Sequence, residues 1–169
     1  GAVMAHELTH AFDDQGSRFD AAGRFTDWWT GEDRARFDAL AERMRAHFDV
    51  VPASGGGRID GRLTLGENIA DFGGLAVAYD ALARATARTR DPMIDGYTQA
   101  QRFFFGWATI WRQNLTLGEA SFRLRHDGHA PAGIRANAAA ANLDGYAHAF
   151  GCADGDSMRL GPADRISIW

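Results

Sequence analysis

His6, Glu7 and His10 stand in the order His-Glu-x-x-His near the start of a 169-residue chain. On an α-helix, residues i and i+4 share one face about 6 Å apart along the axis, so both imidazoles can reach one metal ion at roughly 2.0–2.1 Å. The glutamate between them projects near that face, where it can act as general base toward a water that the metal activates. The chemistry this predicts is hydrolysis of a peptide bond by a zinc-activated water. A helix carrying two solvated histidines is the plainer alternative, so the pattern needs a third ligand.

A catalytic zinc of this kind takes two histidines and a carboxylate and keeps its fourth position open. Downstream, Thr64-Leu65-Gly66-Glu67-Asn68-Ile69-Ala70-Asp71 opens a second helix, and Glu67 and Asp71 are again i and i+4. Glu67 reads as the third ligand. Asp71 reads as an acceptor that holds a ligand imidazole by its free N–H and fixes the tautomer. Thr64-x-x-Glu67 is also the pattern of a capping box, in which Glu67 would only close the helix start. Beside His6 and His10, the ligand reading is the stronger one.

The elements that must position these residues are mostly helical. Thr30 begins a helix with Asp33 three residues on, and Phe37, Leu40, Ala41, Met44 and Phe48 mark one apolar face. Pro52 and Gly55-Gly56-Gly57 end it in a loop. A helix near 64–88 carries Ile69, Phe72, Ala76, Tyr79 and Leu82 on one side. Within it, Gly73-Gly74 costs up to ~1 kcal/mol per glycine, which close approach of the zinc-binding helix would offset. Asp91-Pro92 marks a break, and Thr98 caps a third long helix ending near Leu115. That helix is apolar nearly all round (Phe103, Phe104, Phe105, Trp107, Ile110, Trp111), so a partner should cover it. Short helices are expected around 117–125 and 132–150, and strand signals only at 18–25 and 166–169. The chain has no internal repeat.

His6-Glu7-Leu8-Thr9-His10-Ala11-Phe12-Asp13-Asp14-Gln15-Gly16, Asp27-Trp28-Trp29 and Leu65-Gly66-Glu67-Asn68-Ile69-Ala70-Asp71 resemble the neprilysin family of zinc endopeptidases. So do Asp127-x-His129-x-Pro131-x-x-x-Arg135 and the closing Trp169. The similarity runs from end to end in the same order. It implies a mainly α fold with few short strands, the C-terminal portion of a thermolysin-like zincin (gluzincin) catalytic domain. Residues 1–169 would be one such fragment. Its partners would be peptide substrates and the N-terminal part of the same polypeptide, which carries an Asn-Ala pair for the substrate backbone.

The resemblance also assigns roles. It implies one Zn2+ per chain on His6, His10 and Glu67, with Glu7 and Asp71 in the catalytic set. His129 would donate to the oxyanion of the tetrahedral intermediate, oriented by Asp127. Arg135 would hold a substrate carbonyl, and Asp13 would support the second zinc histidine. Val3, Ile110 and Trp111 would line an apolar pocket on the leaving-group side, favouring cleavage before hydrophobic residues. From the residues alone, 127–135 is a polar loop, Asp13 a helix-end carboxylate, and Val3, Ile110 and Trp111 core packing. Cys152 matches a position often bonded to a cysteine of the N-terminal part, which would place the whole protein outside the cytoplasm; a free buried thiol is the alternative. The family's other cysteines in this region are absent, as in a cysteine-poor bacterial-type relative.

Composition agrees with one globular α-rich domain: 46% hydrophobic and 24% charged residues. A net charge of −4 argues against nucleic-acid binding, and no apolar run is long enough to span a bilayer. Two readings of another class remain: a zinc-stabilised helical interaction module without chemistry, and a helical interaction domain whose motif arose by chance. The first has no use for Glu7, Asp127, His129 and Arg135 together; the second predicts no stoichiometric zinc.

Overall fold

A computed structural model describes residues 1–53, 57–88 and 92–168. The sequence expectations that fall on Gly55, Gly56, Asp91 and Trp169 lie outside these residues. In chain order the helices are α1 (Ala2–Thr9), α2 (Gly31–Asp49), α3 (Leu65–Thr86), α4 (Gln99–Ile110), α5 (Leu117–His126), α6 (Ala132–Ala141) and α7 (Asp144–Phe150). Single 3₁₀ turns follow α1 at His10–Phe12 and Gly16–Arg18.

Hydroxyl caps start three of these helices. Thr30 Oγ1 accepts from Asp33 N at 3.1 Å, Thr98 forms a full capping box with Gln101, and Thr116 Oγ1 accepts from Glu119 N at 3.2 Å. α4 stops at Ile110, short of Leu115, because the chain must leave the helix before Thr116 caps the next one. Its apolar girdle is only partly covered: Phe104 and Trp107 are buried, while Phe105 and Ile110 are exposed. The helical stretch around 132–150 divides at Asn142-Leu143 into α6 and α7. Asn142 is buried there, exchanging two 2.8 Å hydrogen bonds with the backbone of Ile166.

Neither segment with a strand signal forms a strand among the described residues. Phe19 and Phe25 meet in one isolated antiparallel bridge. The loop around them is shaped by other demands. Trp29 Nε1 donates to the Ser17 carbonyl at 3.0 Å, and Arg34 of α2 donates to the same residue's hydroxyl and carbonyl at 3.2 Å. This ties the turn after α1 to the start of α2.

α3 is the central element and packs against α1, α2, α4 and α6. The core joins Phe37, Met44 and Phe48 of α2 to Ile69, Phe72 and Leu75 of α3, Phe104 and Trp107 of α4, and Ala139 and Ala140 of α6. On its other side α3 touches α1 backbone to backbone. A Cβ on Gly74 would stand 2.5 Å from the His6 nitrogen and 2.7 Å from its Cα. The glycine that weakens α3 as a helix is therefore what allows α1 to lie against it.

Gly74→Ala should lower stability by ~1–3 kcal/mol, because the new methyl meets backbone that cannot step aside. Gly118→Ala, on exposed α5 with nothing within 4 Å of its added Cβ, should be neutral or stabilising by up to ~1 kcal/mol. Urea denaturation of both variants checks this, and equal stability of the two would contradict it.

Candidate metal centre

α1 delivers His6 and His10 to one spot, the first from within the helix and the second from its αR-configured C-cap. α3 delivers Glu67 and Asp71 from its first two turns. The side chain of Thr64 makes no cap; its hydroxyl donates to the Asp60 carbonyl and accepts from Asn68 Nδ2, both at 3.0 Å. The capping-box reading of Glu67 therefore has no counterpart here, and the carboxylate points at the histidines instead. Gly66 fits the start of α3 against the turn after α1: a Cβ there would lie 3.0 Å from Asp14 Oδ1 and 3.2 Å from Asp13 Oδ2.

His6 Nε2 and His10 Nε2 are 3.1 Å apart, His6 Nε2 is 3.2 Å from Glu67 Oε2, and His10 Nε2 is 3.6 Å from Glu67 Oε1. Tetrahedral coordination with bonds of 2.0–2.1 Å sets neighbouring ligand atoms about 3.3 Å apart. The three atoms thus already mark three corners of such a site, and this trio could hold a metal ion.

The far sides of the rings agree. His6 Nδ1 lies 2.9 Å from Asp71 Oδ1, and His10 Nδ1 lies 2.7 Å from Asp13 Oδ2. With Nδ1–H donated to these carboxylates, each Nε2 presents a lone pair. Asp13 is itself held in place, its other oxygen accepting from Gln15 N at 2.8 Å and Gly16 N at 2.6 Å. With both rings neutral, two lone pairs and a carboxylate converge there and repel unless a cation, a proton on His6 or a metal ion, sits among them. Charge points the same way. With the imidazoles neutral, as ligation requires, Asp13, Asp71 and the mostly buried Glu67 stand against one buried guanidinium, Arg135, leaving two negative charges for a divalent ion to balance.

The field of this cluster is visible in its titration. Burial works against a charge on His6, but hydrogen bonds and attraction from Asp71 and Glu67 overcome it and push its pKa up to about 9. Burial likewise opposes the charge on Glu67, yet His6, His129 and His10 hold its carboxyl below the usual range. A field that draws a proton to His6 also draws a metal cation.

The second group of residues reaches the same place. His129 Nε2 lies 3.1 Å from Glu67 Oε2, while its Nδ1 and backbone nitrogen face Asp127 Oδ1 at 2.7 and 3.0 Å. Burial raises the Asp127 carboxyl, but these two hydrogen bonds outweigh it and leave its pKa lowered. Arg135, on α6, is buried. Its Nε donates to Asp71 Oδ2 at 2.6 Å, and its Nη2 to Asp71 Oδ1 at 2.8 Å and Glu67 Oε2 at 3.3 Å. Its guanidinium carbon lies 4.1 Å from the centre of the Trp111 ring. Residue spacing held no sign of this fork.

A cavity of about 160 Å³ opens on the cluster, lined among others by Val3, Glu7, Trp107 and Trp111. Glu7 is exposed there, and neither a hydrogen bond nor an ion pair engages its carboxylate among the described residues. Trp111, His129 and Arg135 also border a larger cleft of about 860 Å³, which includes Ile110. Val3 and Ile110 are both 51% exposed, so they border open space rather than filling a core. Trp107, absent from the sequence-based site, joins it because it follows α4's buried face onto the cavity wall.

Comparison with known proteins matches residues 1–166 to Peptidase family M13. The chain belongs to this family. It is 37% identical over 169 residues to the neutral endopeptidase of Lactococcus lactis subsp. lactis (strain IL1403), and 35% identical over 174 residues to neprilysin-3 of Drosophila melanogaster. All of this chain takes part in both matches, but only 25% and 22% of those relatives; the chain spans about a quarter of their length. Among solved structures, zinc metalloprotease ZMP1 of Mycobacterium tuberculosis in complex with an inhibitor superimposes with a TM-score of 0.94 at 38% identity, over 99% of this chain and 26% of that one. PEPO from Lactobacillus rhamnosis HN001 does so with a TM-score of 0.86 at 34% identity, over 100% of this chain and 25% of that one. The described residues are mostly helical, and they share the fold of the matching part of these structures. No helix among the described residues is long and apolar enough to cross a membrane.

Metal ligation requires neutral imidazole, whereas His6 keeps its proton below about pH 9. Zinc added at about pH 7 should therefore displace close to one proton per site, with the number declining as pH rises through the His6 value. Calorimetry in buffers of different ionisation enthalpy reads this directly. Zinc uptake without proton release near neutrality would contradict it.

Proposed function

We propose that this chain carries the zinc centre and part of the substrate cleft of a metalloendopeptidase that cleaves oligopeptides. Carrying this reading is the three-cornered cluster of His6, His10 and Glu67, with the exposed Glu7 beside it. A purely structural zinc site closes itself with four protein ligands, whereas catalytic sites keep one position for water or substrate. The neighbours named as zinc metalloproteases support zinc as the ion, since the donor set alone would also suit copper or nickel.

Zinc held there would supply a Lewis acid that acidifies a water and polarises the scissile carbonyl. In this mechanism Glu7 takes the proton of the attacking water and later passes it to the leaving amine. Asp71 and Asp13 keep His6 and His10 in the tautomer that leaves Nε2 as the ligand atom. His129, held by Asp127 through Nδ1–H, turns Nε2 toward the reacting centre and, as the imidazolium, donates its Nε2–H to the oxygen that becomes negative as water adds. Arg135 offers its remaining nitrogen, Nη1, to a substrate carbonyl. Val3, Ile110 and Trp111 receive an apolar side chain on the leaving-group side, so cleavage falls before hydrophobic residues.

Met4 and Leu8 are each 72% exposed on α1. Together with the greater length of the relatives, this supports cover of that face of α1 by further parts of a longer polypeptide. Hydrolysis is accordingly tested on a form that cleaves peptides.

Glu7→Gln should retain zinc while losing nearly all turnover, and His129→Phe should lower kcat by about 10²–10³ with zinc content unchanged. Zinc analysis beside initial rates on a fluorogenic peptide checks both. Substantial hydrolysis by Glu7→Gln would overturn the base assignment, and loss of zinc from His129→Phe would overturn the oxyanion role.

A further inference from the structure

Arg135 lies 64 residues from Asp71 in sequence and 68 from Glu67, yet it touches both. Its Nη2 is the common point. It donates to Asp71 Oδ1, the atom that also faces His6 Nδ1, and approaches Glu67 Oε2, the atom that faces His6 Nε2. Nε completes a two-point grip on Asp71. The Asp71 and Arg135 side chains are 3% and 8% exposed. Trp111 covers the guanidinium face, so the grip is shielded from water. A residue serving only as a substrate clamp would have no need to commit Nε and Nη2 to a buried aspartate.

We infer that Arg135 is a positioning residue of the metal centre: its guanidinium fork sets Asp71 against His6 and holds Glu67 at the ligand position. This rests on the zinc reading of the site and goes beyond it, because it makes zinc affinity depend on a residue that touches neither metal nor ligand imidazole. Arginine's planar fork can satisfy both oxygens of one carboxylate and still reach a second; lysine carries the same charge as a point and cannot. Replacing Arg135 by lysine leaves the charge near the metal unchanged and removes only the geometry. Asp71 is then free to rotate away from His6 Nδ1, loosening a ligand ring whose support is worth 10–100-fold in metal affinity.

The test is a double-mutant cycle on the zinc dissociation constant of this chain, measured by competition with a chromophoric chelator. The proteins are wild type, Arg135→Lys, Asp71→Asn and the double variant. Binding of one zinc by the wild type is the first result needed; its absence would sink the zinc reading itself. Given that binding, Arg135→Lys should weaken zinc about tenfold, and Asp71→Asn about 10–100-fold. The double variant should be no weaker than Asp71→Asn beyond a factor of about two, because both changes act through one carboxylate. The ligand-field bands of bound cobalt(II) should change in Arg135→Lys, which a merely structural role would not require. Wild-type affinity in Arg135→Lys, or effects that multiply in the double variant, would overturn the inference. Should a variant fail to fold, the wild type still decides. NMR of the zinc-loaded protein should show the Arg135 Nε–H protected from solvent exchange, and rapid exchange would overturn the inference equally.

Discussion

Two helices in backbone contact across a glycine create the condition on which the rest of the molecule depends. α1 cannot bring His6 within 3.2 Å of Glu67 unless α3 lacks a side chain at Gly74. That contact concentrates three carboxylates, two imidazoles and one guanidinium in a space with little water. Such a concentration is unfavourable unless each charge finds a partner, because desolvation of an unpaired ion exceeds what packing returns. Asp13 answers His10, Asp71 answers both His6 and Arg135, and Glu67 is shared among His6, His10, His129 and Arg135. With both imidazoles neutral, what stays unbalanced is two negative charges facing two lone pairs, a remainder that a proton on His6 meets in part and a divalent ion meets in full.

The same arrangement explains why the surrounding elements have their particular ends. The turn after α1 must return Asp13 to His10, so its backbone is held by Asp13 itself, by Ser17 and by the Trp29 indole. α6 begins directly after the Asp127–Pro131 loop, which places Arg135 one turn into the helix and His129 just before it. One short segment thereby supplies both His129, against Glu67, and Arg135, against Asp71 and Glu67.

Much of the centre could be read in sequence because its rules are local. His6 and His10, and again Glu67 and Asp71, are pairs one helical turn apart, and helix geometry alone puts each pair on one face. The caps at Thr30, Thr98 and Thr116 obey equally short-range rules, so α2 and α4 begin where the hydroxyls stand. Long-range facts were not legible. Nothing in the spacing of Arg135 and Asp71 announces an ion pair between α6 and α3. Phe19 and Phe25 carry β-forming side chains, but the loop that contains them answers to Asp13 and Trp29, and a single bridge is all that forms. Apolar residues at 105 and 110 look like core by composition. Phe105 and Ile110 remain exposed because α4 turns only its Phe104–Trp107 side to α3 and α6. The family resemblance supplied what spacing lacked for His129 and Asp127, whose approach to Glu67 depends on the whole fold.

The proposed function requires one divalent ion between His6, His10 and Glu67. Its most direct test is a crystal of the zinc-loaded protein with diffraction recorded on both sides of the zinc absorption edge. One strong anomalous peak is expected about 2.0–2.2 Å from His6 Nε2, His10 Nε2 and a Glu67 carboxylate oxygen, with a non-protein fourth ligand. A peak elsewhere, or a Glu67 carboxylate turned away from the metal, would contradict it.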